Sequence, residues 1–406
     1  MPETDLLLRR GIAEVIDRER LQRRLDQGDR LRVKLGIDPT GAQLHLGHAV
    51  VLRILRRFQD LGHTVVLIVG DFTASIGDPS GKNETRPPLT TTQIRQNYRT
   101  YEQQALKILR KDKKLLEVRY QMEWYKDFKL DALVREASKL SVGWLLSHET
   151  FRQRVKNGQP LAFHELFYPI LQAYDSIVVK PDVEIGGLDQ KFNLLTGREF
   201  MKAHGVPPQD VVLAKYLMGT DGQKMGKSLN NFIAIEEEPF EMFGKIMSLP
   251  DTALRDYYEL ATDIPVAELP AESITDRAAR DAKLRLAGTI VGMYHGAKEA
   301  KLSLNAWNKQ ISKTGVSSDL RRFYLDSKNK NFEGNNKLYL HEVLVVTRVA
   351  QSKSEACRLF EQGAVTINGR AEKNWKQSAG DLPHNTQLVV GKRKIVVEIM
   401  RLNKKE

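Results

Sequence analysis

The stretch Gly36-Ile37-Asp38-Pro39-Thr40-Gly41-Ala42-Gln43-Leu44-His45-Leu46-Gly47-His48 joins two segments of different periodicity. Residues 31–37 before it read as a buried strand. After it Val50, Val51, Ile54, Leu55, Phe58 and Leu61 recur at helical spacing, and Thr64–Val69 is strand-like again. Strand, turn, helix and strand within about 40 residues form a βαβ unit, which implies a parallel sheet. The junction suits an anion, because free backbone N–H groups and the helix dipole lie outside the carboxyl end of a strand. Two imidazoles three residues apart can reach one phosphate, and Gly47 between them lets a flat base or a phosphate approach the main chain. Taken alone, His45 and His48 read equally as two surface histidines at a helix start.

Outward from this unit, a Thr-rich start at Thr90-Thr91-Thr92 predicts a capped helix over 92–108. A helical insertion spans about 120–170, with helical pattern on to 177. Strand-like Val183-Glu184-Ile185 and Val211–Ala214 bracket another helix, so a Rossmann-like α/β domain is expected over 1–230. Residues 231–326 read as helical throughout, interrupted near Pro265 and Pro270. A linker follows at 327–336, rich in Asn, Lys and Gly. The last module, 337–406, is expected to be a small α+β domain, with a helix over 352–360 and short strands near 365–367, 387–390 and 395–399.

The 406 residues are 41% hydrophobic and 28% charged, a globular balance. The net charge of +12 is uneven: residues 327–406 hold 15 basic and 8 acidic residues, over half of the excess. A polyanionic partner is expected there. A lone cysteine, Cys357, excludes an intrachain disulfide and a multi-thiolate zinc site, and no metal site is expected. No secretory leader or spanning apolar run is apparent, so the expectation is a cytoplasmic protein with no membrane partner.

Two further segments carry chemistry. Gly219-Thr220-Asp221-Gly222-Gln223-Lys224-Met225-Gly226-Lys227-Ser228 puts two lysines and a hydroxyl on a glycine-rich loop after the last expected strand of the first domain. It is no Walker loop, which would need glycine at Asp221. Lysine suits phosphate charge that develops during reaction. In the second segment Tyr168, Gln172 and Asp175 stand at i, i+4 and i+7, so a phenol, an amide and a carboxylate share one helix face. Such a stripe also fits a core tyrosine with a solvated rim.

Together, His45-Leu46-Gly47-His48 and Lys224-Met225-Gly226-Lys227-Ser228 resemble the signature pair of class I aminoacyl-tRNA synthetases. Tyr168–Asp175, Ile185-Gly186-Gly187-Leu188-Asp189-Gln190 and Ile76-Gly77-Asp78-Pro79-Ser80-Gly81-Lys82 narrow the resemblance to the tyrosyl-tRNA synthetases, of the second bacterial type. The resemblance implies a tyrosine–tRNA ligase with L-tyrosine, ATP and tRNA(Tyr) as substrates, Mg²⁺ carried in by ATP, no prosthetic group, and a homodimer. It implies that His45, His48, Lys224, Lys227 and Thr40 act on the phosphates, that Gly47, Lys227, Ser228 and Asp189 hold ATP, and that Asp38, Asp78, Tyr168, Gln172, Asp175 and Gln190 hold tyrosine. The last module resembles an S-four-type RNA-binding domain, with Lys353, Arg370, Lys392, Arg393 and Lys394 as RNA contacts.

Three departures stand out. Lys34 occupies the position where many bacterial tyrosyl enzymes carry a phenol-binding tyrosine. Gly70-Asp71-Phe72-Thr73 is bulkier and more acidic than the family's usual stretch, which makes Asp71 a candidate replacement contact. Gly226 replaces the first serine of the usual Lys-Met-Ser-Lys-Ser loop. Two rival readings remain: a tryptophanyl enzyme of the same subclass, and a non-catalytic RNA-binding protein on a synthetase scaffold.

Overall fold

The computed structural model describes residues 3–39, 41, 43–80, 90–271, 274, 276–314, 320–325, 338–347, 349–368, 370–383, 386–390 and 395–401. Thr40, Lys392, Arg393, Lys394 and the expected linker lie outside the described residues, as does the side chain of Ser228.

Six strands form the first sheet: β1 (Ile12–Ile16), β2 (Arg32–Ile37), β3 (Thr64–Val69), β4 (Leu116–Tyr120), β5 (Val183–Gly187) and β6 (Asp210–Ala214). Their order is β1-β6-β5-β2-β3-β4, parallel except for β1 against β6. β3 is a continuous apolar run, as a parallel sheet covered by helices on both faces requires, whereas the central strands β2 and β5 each carry one buried charge, Lys34 and Glu184; Val65, Val66 and Ile68 of β3 are fully buried. The helices that build the site are α1 (Leu46–Asp60), α2 (Thr91–Ala105), α3 (Phe167–Val179) and α4 (Lys191–Ala203). α1 buries Ala49, Val50, Leu52, Ile54, Leu55 and Phe58; of the residues its periodicity singles out, Val51 and Leu61 are only partly buried. α2 starts as its threonines predict: Thr90 Oγ1 accepts from Gln93 N, and Gln93 Oε1 accepts from Thr90 N. Chain order reverses between β2 and β5, so a crevice opens beyond their carboxyl ends. Edge strands β1 and β4 are not apparent from sequence. Both are only partly buried, and Glu14, Glu117 and Arg119 break their apolar pattern.

Contacts divide the chain into residues 1–238 with 249–296, and residues 239–248 with 297–406. The stretch 231–326, expected to be one helical domain, is thus shared between two units. Helix Leu254–Ala261 joins the first because Arg10 donates to the carbonyls of Tyr258, Glu259 and Thr262. Helices Pro239–Met247 and Ala297–Thr314 pack in the second, with Phe243 5.9 Å from the Trp307 ring. Helical periodicity marks a buried face and leaves open which partner covers it. The expectation that 231–326 contains helices alone is also corrected, because β7 (Leu320–Leu325) is a strand. It pairs in parallel with β11 (Ile395–Arg401) at the edge of a five-stranded sheet completed by β8 (Val365–Ile367), β9 (Arg370–Ala371) and β10 (Thr386–Val390), in the order β7-β11-β10-β8-β9. Leu340, Val343, Leu344, Phe360, Leu388 and Val397 form the core of this unit, under a helix (Lys353–Glu361) capped by Ser352 Oγ. Among the described residues no helix is long and apolar enough to cross a membrane.

Candidate active site

At the N-terminus of α1, the His45 and His48 ring centroids lie 3.7 Å apart, and His48 Nδ1 accepts from the His45 backbone N–H at 3.2 Å. That bond leaves the ring proton of neutral His48 on Nε2. Burial, then the charges of Lys227 and Lys224, lower the His45 pKa to about 3. Burial and the same neighbours, with His45, hold His48 well below its ordinary value. Both imidazoles are therefore neutral at pH 7 and offer hydrogen bonds; the positive charge comes from the lysines.

The signature loop docks against this helix start. Met225 sulfur lies 3.3 Å from the Gly47 N–H, and Leu46 N donates to Ile233 O at 3.0 Å. A Cβ on Gly41 would stand 2.8 Å from Lys227 Nζ, so the glycine makes room for that ammonium beside the first junction. Lys224 Nζ pairs with Asp189 Oδ2 at 3.1 Å and lies 4.1 Å from the Tyr216 ring centroid. Asn231 braces the loop, accepting from Gly226 N at 2.8 Å and donating to Asp221 Oδ1 at 2.7 Å. Gly47 lines the cleft, and a side chain there would also crowd the protein itself. A Cβ would lie 3.0 Å from the His45 ring and 3.6 Å from Met225 Cβ, so the protein itself fills that space.

A cavity of about 240 Å³ beyond β2 and β5 brings together Asp38, Asp78, Tyr168, Gln172, Asp175 and Gln190 with His48, Gly41 and Lys227. Asp38 Oδ2 accepts from the Tyr168 hydroxyl at 2.9 Å and Oδ1 from Thr73 Oγ1 at 2.7 Å. Asp78 Oδ2 accepts from Gln190 Nε2 at 2.7 Å. Two carboxylates and a phenol hydroxyl thus border one region of the cavity, a set that suits an ammonium. Asp175 accepts from Gln121 Nε2 at 2.8 Å, Trp124 Nε1 at 3.2 Å and Tyr125 OH at 3.4 Å. Burial raises its pKa to about 7, opposed by the Lys34 charge and the Gln121 and Trp124 donors.

Several expectations fare differently. Asp71 does not line this cavity and instead accepts from Met122 N at 3.0 Å, which removes the geometric basis for a phenol contact there. Lys34 is fully buried, ion-paired to Glu184 at 2.9 Å, and donates to Ser176 Oγ at 2.8 Å and Gln172 O at 3.2 Å. Gln121 and Thr73, passed over in the sequence, line the cavity and bond Asp175, Asp38 and each other. Gln121 lies one residue past β4, a strand the sequence does not reveal, so no sequence cue points to it. In the other unit, Lys353 is exposed and pairs with Glu342 at 2.8 Å, and Arg370 is exposed at the start of β9.

Residues 26–312 match the family described as tRNA synthetases class I (W and Y). A tyrosine–tRNA ligase of Dehalococcoides mccartyi is 44% identical over 387 residues, 94% of this chain and 96% of the relative. A "tyrosine–tRNA ligase 2" of Vibrio cholerae is 41% identical over 366 residues, 89% of this chain and 90% of the relative. Among solved structures, a C-terminally truncated mitochondrial tyrosyl-tRNA synthetase of Aspergillus nidulans superposes with a TM-score of 0.64 at 21% identity, over 76% of this chain and 94% of its own. That last likeness speaks for the fold. Matched along nearly its whole length by such relatives, the chain belongs to the tyrosyl-tRNA synthetases of class I.

Proposed function

We propose that the chain activates L-tyrosine with MgATP and transfers it to the 3′ end of tRNA(Tyr). The tyrosine carboxylate oxygen attacks the α-phosphorus of ATP, and the bond to the β-phosphate oxygen breaks, releasing pyrophosphate. A terminal tRNA hydroxyl then attacks the acyl carbon and AMP leaves. No side chain need become covalently bound, so positioning and electrostatic stabilisation carry the catalysis. Asp38, Asp78 and Tyr168 hold the ammonium, and Asp175 accepts from the phenol. His45 and His48 donate to phosphate oxygens, while Lys224 and Lys227 meet charge moving onto pyrophosphate. The observation that carries this reading is the Lys227 ammonium against Gly41, at a cavity whose lining also holds Asp38, Asp78 and Asp175. The family also implies a homodimer and a cytoplasmic setting, and the basic second unit suits tRNA phosphates.

ATP–pyrophosphate exchange tests the reading directly. Tyrosine should support exchange and tryptophan should not, and Lys227→Ala should slow exchange at least tenfold while tyrosine binding, by equilibrium dialysis, barely changes. RNA binding without any exchange would instead favour a non-catalytic role.

A further inference from the structure

The C-terminal half of α1 carries Arg53, Arg56 and Arg57, which line a second cavity of about 220 Å³ with Lys107, Asp263 and Tyr294. It shares no lining residue with the adenylate cleft. Its lining sets four cations against two carboxylates, and Lys107 pairs outside that lining with Glu236 at 3.1 Å. Asp60, also in its lining, is divided between Arg56 at 2.8 Å and Arg110 at 2.6 Å. The Asp263 side chain, which pairs with Arg53, is 79% exposed, so water screens it. Arg10 adds a third guanidinium beside Arg53 and Arg57; its backbone carbonyl accepts from Arg57 Nη1 at 2.7 Å. Burial and these like charges lower Arg57 to about 10. Arg53 is only 4% exposed, yet its Nε has no hydrogen-bond partner among the described residues. The hydroxyl of Tyr294, 7% exposed, faces the Arg53 guanidinium, which can only donate to it, so its own hydrogen finds no acceptor there. Buried donors of this kind are costly unless something accepts from them.

We propose that this cavity is a second oxyanion site that takes a phosphate group, with Arg53, Arg56, Arg57 and the Tyr294 hydroxyl as its donors. Guanidinium forks match phosphate oxygens, and donors converging from α1 and from helix Asp276–His295 suit a tetrahedral ion better than a flat carboxylate. A bound phosphate ties α1, whose first turn carries His45 and His48, to helix Asp276–His295 and to the segment at Asp263. The phosphate can be a free ion or part of an RNA backbone, which share this chemistry.

The test uses the full chain carrying Lys224→Ala and Lys227→Ala, which removes both signature lysines from the adenylate cleft and leaves there Lys215, paired with Glu259. Inorganic phosphate is titrated against chloride at constant ionic strength, with ³¹P NMR and thermal unfolding as readouts. Saturable binding and a rise in Tm are expected. Arg53→Met should abolish both, and the half-exposed Arg56→Gln, which threatens the fold less, should weaken binding about tenfold. Competition by a short RNA assigns the site to backbone phosphates; saturable phosphate binding unaffected by RNA assigns it to the free ion. The proposal is overturned if phosphate does not saturate, or if Arg56→Gln and any folded Arg53→Met bind it as tightly as the parent.

Discussion

Asp175 makes the discrimination between tyrosine and phenylalanine depend on pH, if it receives the substrate phenol as proposed. Its carboxyl is wholly buried among Gln121, Trp124 and Tyr125, with the Lys34–Glu184 pair behind it and Tyr168 on the same helix face. Its pKa stands at about 7 in the fold against an ordinary 3.8. Because the folded value is raised, the fold binds this proton more tightly than the unfolded chain. The resulting stabilisation is complete below 3.8, is lost as pH rises through about 7, and amounts to about 4 kcal/mol. Ionised Asp175 therefore waits at pH 8 as an expensive acceptor, and Oδ2, which takes only Gln121, keeps a lone pair for the phenol. A bond to the charged form exceeds one to the neutral acid by about 1–2 kcal/mol, or roughly tenfold in specificity. Exchange kinetics with tyrosine and phenylalanine at pH 6 and pH 8 measure this, since the titration of ATP cancels in the ratio of kcat/KM values. The tyrosine preference should fall about fivefold from pH 8 to pH 6, because with a pKa of about 7 roughly a tenth of the sites keep the opposite form at each end. Replacing the ion pair together, Lys34→Met with Glu184→Gln, should move the transition to higher pH if loss of the Lys34 charge outweighs loss of the opposing Glu184 charge. A ratio that is flat from pH 6 to pH 8 refutes the assignment of the phenol to Asp175.

Gly47→Ala puts a methyl 3.0 Å from the His45 ring, so it should lower kcat for exchange with little change in the KM for tyrosine, and cost about 1–3 kcal/mol in urea unfolding. Arg154 and Glu165 form a buried pair with bonds of 2.6 and 3.1 Å, and Arg154→Met alone removes the counter-charge of a buried carboxylate, a loss of about 3–5 kcal/mol that Arg154→Met with Glu165→Gln should largely restore. Charge reversal at exposed Arg370 and Lys376 should leave ATP–pyrophosphate exchange intact while raising the KM for tRNA and reducing its salt dependence.

How far the sequence speaks for this structure depends on whether a residue's role is local. β3 and Val211–Ala214 of β6 are apolar runs, as the doubly covered sheet requires, so composition alone marks them, while β2 and β5 are short apolar stretches each broken by one buried charge. The His45–His48 turn, the Lys224–Lys227 loop and the Tyr168–Asp175 stripe each lie within eight or fewer positions, and their spacing already puts the groups on one side. Thr73, Gln121 and Asn231 escape notice because each acts on a partner chosen by the fold: Thr73 on Asp38, Gln121 on Asp175, Asn231 on Asp221. Lys34 is the instructive case. In β2 it is a fully buried cation between Val33 and Leu35, unlike the partly exposed Arg32, and in β5 Glu184 is a lone anion between Val183 and Ile185. Neither charge is tolerable in a buried strand by itself. The two are register partners across the β2–β5 pairing, each supplying the other's counter-charge. Read together, those two misplaced charges predict that β2 and β5 are neighbours, which is the chain reversal that opens the crevice. The feature that looks like the loss of a substrate contact is thus also the sequence's best evidence for where the cleft must lie.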